Sequence, residues 1–96
     1  MEVLFKIFDT DYVRAQWAEK LLLSGLKARG IEGKVHLVFE HLEFSRKGLK
    51  DIPALELNGI ILFQGQGFSD RILEDILKRL VIAQRKMSFK YNNNKN

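Results

Sequence analysis

Two apolar runs separated by a helix-length stripe constrain this chain more than any other feature. Val3-Leu-Phe-Lys-Ile-Phe8 is short, nearly continuous and rich in β-branched and aromatic residues, and Lys34-Val-His-Leu-Val-Phe-Glu40 is a second run of the same kind. Both read as strands, the first as one buried on both faces. Between them, from Tyr12 to Arg29, Val13, Trp17 and Leu21 recur at helical spacing with Ala18, Leu22 and Leu26 beside them. That is the broad stripe of an amphipathic helix, and it predicts Trp17 in the core. Asp9-Thr-Asp11 supplies cap residues ahead of the stripe, and Gly30 stops it. A helix of this length forms a right-handed crossover, so the two strands are predicted to be parallel neighbours.

The second half carries a different signal. His41 to Leu49 is a weaker helical segment, closed by Gly48 and Lys50-Asp51. After Ile52-Pro53, the runs Ala54–Leu57 and Ile60–Phe63 flank Asn58-Gly59. This dipeptide favours a two-residue hairpin turn with positive φ at both positions, so these strands are predicted to be antiparallel. Gly65 and Gly67 interrupt the pattern. Phe68 and Ser69 then read as a hydrophobic staple and an N-cap for a last helix with Ile72, Leu73, Ile76, Leu77, Leu80 and Val81 on its apolar side. The predicted order is β-α-β-α-β-β-α, an α/β fold whose four-stranded mixed sheet has helices on both faces.

At 96 residues, with 46% hydrophobic and 29% charged residues, the chain is expected to be one soluble domain. It contains no cysteine. That excludes a thiol nucleophile, a CxxC redox pair and a thiolate metal site. The formal charge of +4 invites a nucleic-acid reading, yet Lys and Arg match Asp and Glu one for one from Met1 to Ala83. The excess lies in Arg85, Lys86, Lys90 and Lys95. Residues 1–83 are therefore expected to be the domain, and 84–96 a basic, Asn/Lys-rich flexible tail. Phe89 and Tyr91 alternate with Lys90 there and could stack on bases or lie on an anionic surface, but four cations without a folded basic face supply only weak, salt-sensitive attraction. No nucleic-acid or membrane partner is expected. The N-terminus lacks the basic segment and apolar run of a signal peptide, and no apolar stretch is long enough to span a bilayer, so a cytoplasmic location is expected.

The remaining candidates have plain explanations. His36 and His41 have no second His or Cys at ligand spacing, and no metal site is expected. Gly65-Gln-Gly67 lacks the third glycine and the lysine of a phosphate loop and reads as a tight connection. Arg46, Lys47 and Lys50 stand beside Glu43 and Asp51, as on an ordinary solvated face.

The element order, the Ile52-Pro53-Ala54-Leu55 segment before the Asn58-Gly59 hairpin, and Gly65 after the fourth strand together resemble the thioredoxin-like fold. They are most similar to the small single-domain thioredoxin/glutaredoxin-like proteins. The resemblance runs from Val3 to about Val81. In that family a CxxC motif opens the first helix and a proline, usually cis, faces it from before the third strand. Here Tyr12-Val13-Arg14-Ala15 stands in the motif's place, so Tyr12 and Ala15 occupy the two thiol positions. Disulfide exchange needs an attacking thiolate and a resolving sulfur, and neither residue supplies one. No enzyme activity and no cofactor are expected. The resemblance implies a retained surface, in which Ile52 pairs with the backbone of an extended peptide and Pro53 shapes the groove. Tyr12 would anchor the ligand with an aromatic ring, and Arg14 would add a cation. The structural reading of Pro53 is that it only sets the turn into the third strand. The expected function is a non-catalytic peptide- or protein-binding module. The alternative is a transferase-like domain holding glutathione or a small anionic ligand, since glutathione brings its own sulfur.

Overall fold

The computed structural model describes residues 2–94, with side chains through residue 85. Strand β1 spans Val3–Phe8, helix α1 Tyr12–Ala28 and strand β2 Gly33–Val38. The short helix α2 covers His41–Arg46, strands β3 and β4 cover Ala54–Leu57 and Ile60–Gln64, and helix α3 runs from Asp70 to Asn94. The expected element order is thus observed. The expectation of a flexible tail concerned residues 84–96; the backbone of α3 is helical to Asn94, and side chains past Arg85 lie outside the described residues.

The four strands form one mixed sheet in the order β2-β1-β3-β4. β1 and β2 are parallel, with Val3 opposite Gly33 and Phe8 opposite Val38. β3 is antiparallel to β1 and to β4, with a bulge that places Leu62 outside the pairing. The hairpin turn follows its sequence signal, since Asn58 and Gly59 both have positive φ, 47° and 88°. Asn58 also ties the hairpin to β1. Its N–H donates to the Leu4 carbonyl at 2.9 Å and its Oδ1 accepts from the Leu4 N–H at 2.7 Å.

Helices α1 and α2 stop in the same way. Ile31 N–H donates to Leu26 O at 2.9 Å, and Leu49 N–H donates to Phe44 O at 3.0 Å, across Gly30 and Gly48, which both have a φ of 67°. A glycine in the left-handed region lets the chain turn back and satisfy the last carbonyls. This closure ends α2 at Arg46, three residues before the helical pattern in the sequence does. At the other end of the molecule, Ser69 Oγ accepts from Ile72 N–H at 3.2 Å, the predicted cap of α3.

One face of the sheet is covered by α1 and α3. Val3, Phe5, Ile7, Leu55, Leu22, Leu26, Leu73 and Leu77 make the fully buried core there. Among the described residues the other face carries only α2, where Phe44 packs edge-on against Phe8 at 6.1 Å beside Ala54. Helices do lie on both faces, but a six-residue helix cannot cover a sheet. Leu4 and Lys6 of β1 are therefore half-buried, and β1 is fully enclosed on one face only.

The orientation of α1 corrects the sequence reading. Its buried residues are Ala15, Ala18, Leu22, Gly25 and Leu26, whereas Val13 is 76% and Trp17 37% exposed. The buried stripe is narrow and lined with small residues because α1 packs against both the sheet and α3. A Cβ on Gly25 would overlap the Leu77 side chain, so a large residue has no room on that side.

Candidate functional site

The register of β1 against β3 sets Phe8 opposite Ala54. One step further, the turn from β1 into α1 and the Ile52-Pro53 step lie at the same end of the sheet. Ile52-Pro53 is a cis peptide bond. Pro53 is buried and Ile52 half-buried against the Phe8 and Phe44 cluster.

Residues 9–11 form a carboxylate-centred turn. Asp9 is fully buried, although the sequence marks it only as a cap residue. Its Oδ1 accepts the N–H groups of Thr10 at 2.8 Å and Asp11 at 3.1 Å. Arg14 closes over it, with Nε donating to Oδ2 at 2.7 Å and Nη2 to Oδ1 at 2.6 Å. Asp11 caps α1 by accepting Arg14 N–H at 3.0 Å. Burial works to raise the Asp9 pKa, but the guanidinium and the two amides outweigh it and hold the carboxyl below its ordinary value. The same pairing raises the pKa of Arg14. Arg14 therefore commits Nε and Nη2 to a partner within the chain.

The backbone beside Pro53 is also largely engaged. Ile52 N–H donates to Asp51 Oδ1 at 2.9 Å, and Pro53 O accepts from Gly65 N–H at 3.0 Å. Gln64 Oε1 gathers the N–H groups of Lys50 and Asp51 at 2.7 and 3.3 Å, tying this loop to the end of β4. The loop is a closed hydrogen-bonded unit, and the Ile52 carbonyl is the group left over among the described residues of that step.

Tyr12 is 58% exposed, and its ring lies 5.3 Å from that of Phe39 at a tilt of 38°. Its hydroxyl accepts from Gln16 Nε2 at 2.9 Å. Val13 and Trp17 extend the apolar surface down the outer side of α1. Ala15, which the resemblance matched with Tyr12 to the CxxC positions, is fully buried in the core. The four residues singled out in the sequence thus share one end of the sheet, but in different states. Tyr12 faces solvent, Arg14 is held by Asp9, Ile52 is half-buried and Pro53 is enclosed. Val13 and Trp17 were missed as surface residues because apolar side chains at helical spacing ordinarily mark core, while Phe39 is half-buried against the core. Arg14 five residues after Asp9 was the available signal for the ion pair.

Among the described residues, no group of three or more His, Cys, Asp or Glu could hold a metal ion. No helix among them is long and apolar enough to cross a membrane. No protein-family model matches the chain, and no curated protein matches it.

Proposed function

We propose that this chain is a thioredoxin-like domain without redox chemistry that binds an extended peptide or protein segment at the start of α1. The strand order, the proline before β3 and the length of the α1 crossover support the thioredoxin-like reading. The observation that carries the functional reading is the exposed apolar surface of Tyr12 and Val13, continued by Trp17, beside the Ile52-Pro53 step. Aromatic side chains with a polar tip are efficient anchors for a partner, and contiguous exposed apolar residues mark contact surfaces.

The glutathione alternative needs a cation for the ligand's carboxylates. Arg14 commits Nε and Nη2 to Asp9, and its charge is already matched by that carboxylate, so the site favours a ligand held by apolar contact and by the Ile52 carbonyl. The test is selection of displayed random peptides on the full chain, followed by titration of an enriched peptide into isotope-labelled protein. Amide shifts centred on Tyr12, Val13, Trp17 and Ile52 support the reading. Shifts centred elsewhere, or retention of the chain on a glutathione resin with the same residues perturbed, remove it.

A further inference from the structure

The start of α1 differs in sign from the chain as a whole. The sequence carries a formal charge of +4, but the segments that meet around Tyr12 do not share it. Asp11 precedes Tyr12, and Glu40 follows Phe39, whose ring lies 5.3 Å from that of Tyr12. Both acids are exposed, and among the described residues neither forms an ion pair. Asp11 uses one oxygen to accept the Arg14 N–H and keeps its charge unpaired, and Glu40 makes no side-chain cap bond to α2. Arg14, the one cation in the first turn of α1, is matched by the buried Asp9. At the Ile52-Pro53 step Lys50 stands beside Asp51, and further along α1 Lys20 stands beside Glu19. The apolar surface of Tyr12, Val13 and Trp17 is thus bordered at one end by two carboxylates whose charge nothing nearby cancels.

From these observations we infer that the segment bound at the start of α1 is basic, an extended stretch with Lys or Arg two positions from an apolar or aromatic anchor. This rests on the Tyr12 surface being the binding surface and names the chemistry of its partner. In an extended chain, residues two apart share a face and lie about 7 Å apart. An anchor packed on Tyr12 and Val13 therefore sets that cation beside it, on the same side of the segment and toward the acids that flank Tyr12 and Phe39. Cations are also attracted to exposed aromatic faces, so Tyr12 and Trp17 favour the same sign. An anionic segment is repelled by Asp11 and Glu40 and finds Arg14 already held by Asp9.

The test is selection of displayed random peptides at low salt, on the full chain and in parallel on its Asp11→Asn, Glu40→Gln double variant. Enriched peptides are then titrated into isotope-labelled protein. Asn caps a helix as well as Asp does, and Glu40 caps nothing, so the variant keeps the fold, which its melting curve checks. Peptides selected on the native chain are expected to carry Lys or Arg two positions from an apolar anchor and to shift the amides of Tyr12, Val13 and Trp17. They should lose about threefold to tenfold in affinity on the double variant, and as much in about 0.5 M salt, because exposed ion pairs are individually modest and are screened. If the double variant melts early, Glu40→Gln alone should cost about twofold to threefold. The long-range field of a chain with net charge +4 draws acidic peptides, so an excess of Lys or Arg reports the local carboxylates. Peptides that shift the Tyr12 surface without that excess, or that bind the folded variant as tightly as the native chain, overturn the inference and leave the binding surface standing. Enriched peptides that all leave Tyr12, Val13 and Trp17 unmoved remove the binding surface and this inference with it.

Discussion

Arg14 embraces the fully buried carboxylate of Asp9 through two hydrogen bonds, 2.7 Å from Nε and 2.6 Å from Nη2. The pair joins the end of β1 to the first turn of α1 and sets the direction in which α1 leaves the sheet. It also makes Arg14 a structural residue at a position where the family resemblance suggests a ligand donor. Removing Arg14 leaves Asp9 with only the amides of Thr10 and Asp11. Because the guanidinium is about one-third exposed, the loss is moderated by solvent. Arg14→Ala is expected to cost about 1–3 kcal/mol, read from urea denaturation at neutral pH.

The same carboxylate predicts how stability depends on acid. Its folded pKa lies below the ordinary value, so its contribution is fully present above the unfolded pKa of about 4 and drains away as pH falls through the depressed folded value. Asp9→Asn should lower stability near neutrality and remove this part of the acid loss. The difference in unfolding free energy between the two proteins should be widest above about pH 5 and narrow steadily below about pH 4. A constant difference across that range would show that Asp9 is not the titrating group.

Glu56 is buried in β3 on the α2 face of the sheet, and the part-exposed Lys47, just after α2, reaches its Oε1. Lys47→Met strands a buried carboxylate and is expected to destabilise by about 2 kcal/mol. Adding Glu56→Met should recover most of that, since an apolar pair of similar size needs no desolvation. A double-mutant cycle by thermal and urea unfolding measures the coupling, and additive effects would contradict it.

The contact between α1 and α3 depends on Gly25. In a helix, alanine is intrinsically favoured over glycine by about 1 kcal/mol. Here the added methyl would collide with Leu77 Cδ1 in a fully buried contact. Gly25→Ala should therefore be net destabilising by about 1 kcal/mol, and Leu77→Ala should abolish the penalty of the second change. A stabilising Gly25→Ala in the native background would mean that the two helices separate without cost.

Val13 offers the opposite case. A core valine replaced by lysine would unfold a domain this small, whereas at 76% exposure Val13→Lys should shift stability by no more than about 0.5 kcal/mol. The same variant should weaken a partner at the α1 surface. Unchanged melting with lost binding separates the two roles of the side chain.

Much of the fold was legible because local rules agreed with one another. Asn58-Gly59 specified its turn, Gly30 and Ser69 marked a helix end and a helix start, and the helix between β1 and β2 made them parallel. The face of α1 was not legible. Val13 and Trp17 are more hydrophobic than Ala15, Ala18 and Gly25, so a reading weighted by hydrophobicity turns the helix the wrong way. The core took Ala15, Ala18 and Gly25 beside Leu22 and Leu26, and at Gly25 the Leu77 side chain approaches α1 too closely for a larger residue. At the candidate site, residue types pointed to Tyr12, Arg14, Ile52 and Pro53, but not to how their hydrogen-bonding groups are spent.

Composition and local pattern alone determined the absence of thiol chemistry, the element order and the hairpin, since each follows from residue identity or from neighbours a few positions away. Tertiary structure decided which side of α1 is core, that Asp9 is buried under Arg14, and that the Tyr12 ring meets that of Phe39. Those outcomes depend on which surfaces meet across the fold, and surfaces meet by shape and distance that no short stretch of sequence contains.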